Sequence, residues 1–125
     1  VRTKGTINNL TVSDSFSDGI DLDFSNLTVK QMKINNSGGD CLDLSFGDYV
    51  IEDGQIHFCG DKAISSGERS KTKIHQLAIS NSFMGVASKD NSRVLILNGS
   101  IINLPCLSVK ELFCTCLSCR SPITI

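Results

Sequence analysis

The sequence predicts an all-β solenoid, a parallel β-helix of four to five coils at about 22 residues per coil, and three rows of aliphatic residues carry that expectation. Ile7, Val29, Ile51, Ile74 and Ile96 form one row with steps of 22, 22, 23 and 22. Val12, Ile34, Ile56, Ile79 and Ile101 repeat the same four steps, and Ile20, Leu42, Ile64 and Val86 recur at 22 each. All fourteen positions are aliphatic in a chain that is 40% apolar, so chance does not account for the period. A unit of this length cannot bury its own apolar face and does so by stacking on its neighbours.

Each row sits in a strand-like run. One coil reads IDLDF, LTV and MKIN, the next CLDLS, YVIE and QIHF, and the next KAISS, TKI and LAIS. Runs rich in Ile and Val, punctuated by Gly, Asn, Ser and Asp, predict three short strands per turn on three sides of the coil. Alternation within IDLDF puts Ile20 and Leu22 on one face and Asp21 and Asp23 on the other. Twenty-two residues are too few for a strand plus a helix and both connections, and no Leu-x-x-Leu-x-Leu pattern recurs. Coils spaced by about 4.8 Å make a stub roughly 20 Å long. The same stacking aligns Asn36, Asn81 and Asn103, with Asp14 below and Phe58 interrupting, in a column that reads as a structural amide ladder.

The pattern breaks after Asn103, dividing the chain into repeats over 1–104 and a Cys-rich cap or truncated tail over 105–125. Val109, Leu112, Phe113 and Cys116 fall at i, i+3, i+4, i+7, and Ser108 with Glu111 forms a capping box, which predicts a short C-terminal cap helix. The competing reading is one more degraded rung, LSVKE at 107–111 echoing VASKD at 86–90. Cys106, Cys114, Cys116 and Cys119 crowd the tail as zinc donors or as small apolar fillers, while Cys41 and Cys59 sit in rungs. Six cysteines leave the disulfide pairing open.

A net charge of −1 with scattered Lys and Arg gives no basic stripe, so nucleic acid is not an expected partner, and no transmembrane segment is expected. A start at Val1 within a coil suggests a piece of a larger secreted or surface protein, whose further coils or domains would be its neighbours.

Chemistry concentrates at one corner: Asp18, Asp21 and Asp23, then Asp40 and Asp43, then Asp61. Asp18 and Asp40 are 22 apart, as are Asp21 and Asp43, so each pair stands on adjacent coils about 5 Å apart. Like charges at that distance raise one another's pKa or recruit a cation. The readings are an acid–base pair for glycoside hydrolysis, a calcium site at Asp18 and Asp40, or solvated turn residues. No other cofactor is expected. His57 and His75 are out of register with each other and are expected to be surface residues lacking a Ser or Cys partner.

FSDGIDLD, GGDCLDLS, CGDKAISSGE and MGVASKD, on successive rungs, resemble the signature rungs of polygalacturonases. That family of pectin-cleaving right-handed β-helix hydrolases reads Asn-Thr-Asp-Gly, Gly-Asp-Asp-Cys, Gly-His-Gly-Ile-Ser and Arg-Ile-Lys. Asp18 holds the Asp of the first motif, Asp40 with Cys41 the second half of Asp-Asp-Cys, and Lys89 the last Lys. Gly39, Lys62 and Ala87 stand where the family has Asp, His and Arg. The resemblance implies Asp18 and Asp40 as surviving carboxylates and Lys89 as a substrate-carboxylate contact, without the proton donor of the inverting mechanism.

A broader resemblance, over roughly residues 5–104, is to β-helix repeats of bacterial surface proteins, including those beside spore-coat-kinase-like domains. Gly60 to Glu68 and Gly85 to Asp90 are similar to their recurrent rungs. It implies a structural or carbohydrate-associated module at the cell surface or outside the cell. The acidic corner around Asp18, Asp40 and Asp61 is the expected place for calcium or sugar hydroxyls, with Asp21, Asp43, Asp61 and Lys62 as the expected polysaccharide contacts. The rival it leaves is a polygalacturonase-like hydrolase or polysaccharide lyase fragment with a degenerate site. The right-handed sense follows from the crossover rule and from these resemblances.

Overall fold

Stacking the aliphatic rows requires every coil to pair with the next at one register, and the chain does so. A computed structural model describes the backbone over residues 3–110, 113–115 and 123–124, and side chains over 3–105. In chain order the strands are β1 (Thr3–Ser15), β2 (Ile20–Asp23), β3 (Ser25–Ser37), β4 (Leu42–Ser45), β5 (Asp48–Cys59), β6 (Lys62–Ser66), β7 (Lys71–Ser80), β8 (Met84–Ser88), β9 (Arg93–Ile102), β10 (Cys106–Lys110), β11 (Phe113–Thr115) and β12 (Ile123–Thr124). Long strands stack as β1-β3-β5-β7-β9-β12 and short ones as β11-β10-β8-β6-β4-β2. Ile7 lies opposite Val29, Val29 opposite Ile51, Ile51 opposite Ile74 and Ile74 opposite Ile96, all in parallel pairs. The molecule is a parallel β-solenoid of about five turns.

The expected three strands per coil are two, because the LTV and MKIN runs are one strand that bends. Inward Val29, Met32 and Ile34 are buried, whereas Lys30 and Gln31 are both exposed between them, which marks the bend. Three sides therefore remain, two of them on one continuous ladder. Ile34, Ile56, Ile64, Ile74 and Val86 are wholly enclosed, while Ile7, Leu10, Val12, Ile20 and Leu22 in the first coil are partly covered. Each enclosed side chain contributes roughly 1.5–3 kcal/mol.

Sharp corners need left-handed backbone, and residue choice follows from that. Asp14, Asn36, Phe58, Asn81 and Asn103 all have φ between 55° and 61°, a region in which Asn and Asp are enriched. Asn36 Nδ2 donates to Asp14 Oδ1 at 2.7 Å and Asn103 Nδ2 to Asn81 Oδ1 at 3.2 Å, so the ladder exists on both sides of Phe58.

The corner after each short strand is built in two ways. In the first two coils Phe24 and Phe46 stack at 4.5 Å between centroids. The 23-residue step then adds one residue: Ser70 N–H donates to Gly67 O at 2.9 Å across Glu68 and Arg69, both at positive φ, and Lys89–Ser92 repeats the turn around Asp90 and Asn91. Two consecutive positive-φ residues define a type I′ turn. Beneath these turns buried serines replace Leu22 and Leu44. Ser66 and Ser70 hydroxyls lie 2.8 Å apart, as do those of Ser88 and Ser92, and Ser92 Oγ donates to Ser66 O at 2.7 Å.

The expected cap helix at Ser108 to Cys116 is not formed; among the described residues there is no helix, hence none long and apolar enough to cross a membrane. Ser108 lies opposite Val86 and Lys110 opposite Ser88 in a parallel pair, with β11 antiparallel on β10. The degraded-rung reading is the nearer one, displaced by one residue from the LSVKE–VASKD alignment. The open edge of β8 offers ladder hydrogen bonds that outweigh a local helical spacing. The cysteine side chains of the tail, and with them the zinc reading, lie outside the described residues.

Candidate functional site: the acidic corner

The acids occupy the turns between the long and short strands. These turns are tight: a Cβ on Gly38 would sit 2.1 Å from Phe16 O, and one on Gly60 would sit 2.2 Å from Gly38 O. Such close approach leaves some backbone N–H groups to side chains. Asp18 Oδ1 accepts the Asp40 N–H at 2.8 Å, and one coil higher Asp40 Oδ1 accepts the Lys62 N–H at 3.0 Å. Lys62 Nζ adds an ion pair to Asp40 Oδ1 at 3.2 Å and another to Asp61. The two carboxylates expected to act as a pair thus perform one repeated structural task, and the ladder ends where Lys62 offers no acceptor.

Burial opposes the charge on Lys62, but the Asp61 and Asp40 carboxylates outweigh it and raise its pKa. Gly39 stands against Asp18, where an added Cβ would lie 2.3 Å from Oδ1. A side chain at the position where polygalacturonases carry their first Asp would therefore displace this carboxylate. Behind the turns Cys41 and Cys59 form a buried disulfide with Cα atoms 5.5 Å apart, tying the end of β5 to the turn of the coil below.

Asp21 and Asp43 stand in register on the outer side of β2 and β4. The Asp21 pKa is raised by burial and then by Asp23, Asp43 and Asp18. That of Asp43 is raised mainly by burial; the neighbouring Ser65 hydroxyl opposes the rise without a fully formed hydrogen bond, Asp40 and Asp18 add to it, and Lys89 also opposes it. Lys89 thus acts on Asp43. Among the described residues, no three His, Cys, Asp or Glu side chains converge as a metal donor set.

His57 corrects one expectation. Its Nδ1 lies 2.6 Å from Ser80 Oγ, directly above it in register, because the 23-residue step brings residue 80 onto residue 57. Asn81 Nδ2 also donates to Ser80 Oγ, at 3.3 Å. His75 has no such serine; its carbonyl accepts from Asn98 Nδ2 at 3.4 Å.

The residues that sequence reasoning passed over are the phenylalanines. Phe16, Phe24, Phe46, Phe58 and Phe83 are all exposed, Phe58 at 54% and Phe83 at 58%. They lie at corners, and Phe16, Phe58 and Phe83 are in or beside the turns that carry the acids. Their signal was in plain view: they are large apolar residues that fall on none of the three rows. No family model matches the chain, and no curated protein or solved structure matches it either.

Proposed function

We propose that the chain is a carbohydrate-associated β-helix module of the pectin-lyase-like class, from a secreted or surface protein, that binds polysaccharide without cleaving it. The observation that carries this reading is the set of exposed rings at the acidic corner, Phe16, Phe58 and Phe83. Exposed aromatic surface marks binding sites, and a ring face packs against the C–H face of a sugar. Asp61 and Lys62 in the turns, and Asp21 and Asp43 on the adjoining short strands, supply acceptors and a donor for hydroxyls. Engagement of Asp18 and Asp40 by backbone N–H groups argues against an acid–base pair. The buried disulfide fits an oxidising compartment.

The rival is a hydrolase or lyase, favoured by the raised pKa of Asp43 and the charge of Lys89 near it. Affinity electrophoresis through polysaccharide gels, with a reducing-end assay on the same samples, separates the two. Binding reads out as retardation that Phe58→Ala/Phe83→Ala abolishes, with no reducing ends released. Reducing ends that disappear in Asp40→Asn would establish the enzyme instead. Retardation that requires calcium and is lost in Asp18→Asn/Asp40→Asn would place a cation in the site.

A further inference from the structure

The middle side of the long strands carries a second polar column. Asn9, Gln31, Asp53, Gln76 and Asn98 lie opposite one another through all five coils, and every one is an amide or an acid. The corner ladder of Asp14, Asn36, Asn81 and Asn103 closes on itself through side-chain hydrogen bonds. This one does not: among the described residues, Gln31, Asp53 and Gln76 have no side-chain hydrogen bond or ion pair. Beside it a groove of about 500 Å³ runs across three coils, bounded by Asp53, Gln55, His57, Gln76, Asn98 and Ser100.

We infer that this face binds an extended neutral glycan lying along the solenoid axis. The inference rests on the carbohydrate reading above and adds a face and a ligand class to it. Donors and acceptors repeating at about 4.8 Å meet one pyranose residue per coil. Of the outward positions on this side, from residues 9, 11 and 13 up to 98, 100 and 102, only Lys33 and Asp53 carry formal charge, and these cancel. A chain of uncharged hydroxyls meets no repulsion here and loses no counter-ion. His57 is followed directly by Phe58, so the face runs into the aromatic corner without a break.

The test is affinity electrophoresis of the full chain in gels containing hydroxyethyl cellulose, a neutral β-glucan, or polygalacturonate, at low and high salt. Retardation by the β-glucan, unchanged by salt and weakened roughly tenfold in Gln76→Ala/Asn98→Ala, is the expected result. Both substitutions are on exposed side chains, and an unchanged thermal melt shows that the variant is folded. Retardation that survives this variant but is lost in Phe58→Ala/Phe83→Ala would overturn the face and leave the carbohydrate reading standing. Salt-sensitive retardation by polygalacturonate alone would overturn the neutral ligand. No retardation in either gel would overturn both readings.

Discussion

Asp18 and Asp40 at the corner and Gln31, Asp53 and Gln76 on the flat side recur with nearly the same step, yet the first set is closed and the second is open. The difference lies in the backbone. Along the flat side, neighbouring coils satisfy the N–H groups in a continuous ladder, so polar side chains there have no main-chain donor to serve. At the corner the chain turns, the ladder is interrupted, and carboxylates take the N–H groups of Asp40 and Lys62. The polar residues therefore divide by the backbone they stand on: Asp18 and Asp40 at the turns hold one coil to the next, and Gln31, Asp53 and Gln76 on straight strands keep their polar groups unpaired among the described residues, while Asn98 in the same column bonds the His75 carbonyl.

The largest effect that sharpens this contrast is removal of the disulfide behind the corner. Cys41→Ser/Cys59→Ser should lose about 2–4 kcal/mol in denaturant unfolding, since the crosslink closes an 18-residue separation. Next comes Asp40→Ala, which strands the Lys62 N–H and should cost about 1–3 kcal/mol, while Asp40→Asn retains an acceptor oxygen and costs less. Gln76→Ala on the open face should stay within about 0.5 kcal/mol of the parent. Equal losses for Asp40→Ala and Gln76→Ala in the same unfolding experiment would erase the distinction.

A gain smaller than the Asp40→Ala loss is expected at the other corner. Glu68 and Arg69 occupy a turn that favours Gly, Asn and Asp, whereas Asp90 and Asn91 already suit it one coil higher. Arg69→Gly should raise stability by up to about 1 kcal/mol, read as a higher melting temperature, and Asn91→Gly should change little. The smallest effect is on pH dependence. The Asp43 pKa is raised in the folded state from 3.8, so the protonated form is favoured on folding. Stability from this residue is present at low pH and is lost as pH rises from 3.8 through the folded value. Asp43→Asn should flatten that loss and leave the protein slightly more stable at neutral pH, as pH-resolved melts would record.

The rows made the solenoid legible because core burial leaves little freedom at a fixed repeat. Even the inserted residue was marked: Leu42 to Ile64 steps by 22 and Ile51 to Ile74 by 23, which puts the extra residue between Ile64 and Ile74, and the return to 22 from Ile64 to Val86 makes the turn before Val86 one residue shorter. Local signals misled where tertiary pairing decides. Ser108 to Cys116 carries a helical spacing, but Cys106–Lys110 joins the open edge of β8 as a strand. The His57–Ser80 contact follows from the column of His57 itself, in which residue 80 comes 23 positions later, and not from the spacing of the two histidines. The acidic corner was legible, but the main-chain N–H groups that Asp18 and Asp40 accept were not, because such a contact leaves no trace in side-chain spacing. Cys41 and Cys59 pair across two coils that only the register brings together.

Hydrogen exchange at the Lys62 amide reports on whether Asp40 holds the next coil. If the Asp40 carboxylate holds the next coil, this amide is protected in the parent protein at neutral pH and exchanges much faster in Asp40→Ala, while amides of β5 and β7 on the flat side keep their protection. An amide that exchanges at the rate of an open loop in both proteins would show that Asp40 does not hold the next coil, and its carboxylate would then be free to act on a ligand.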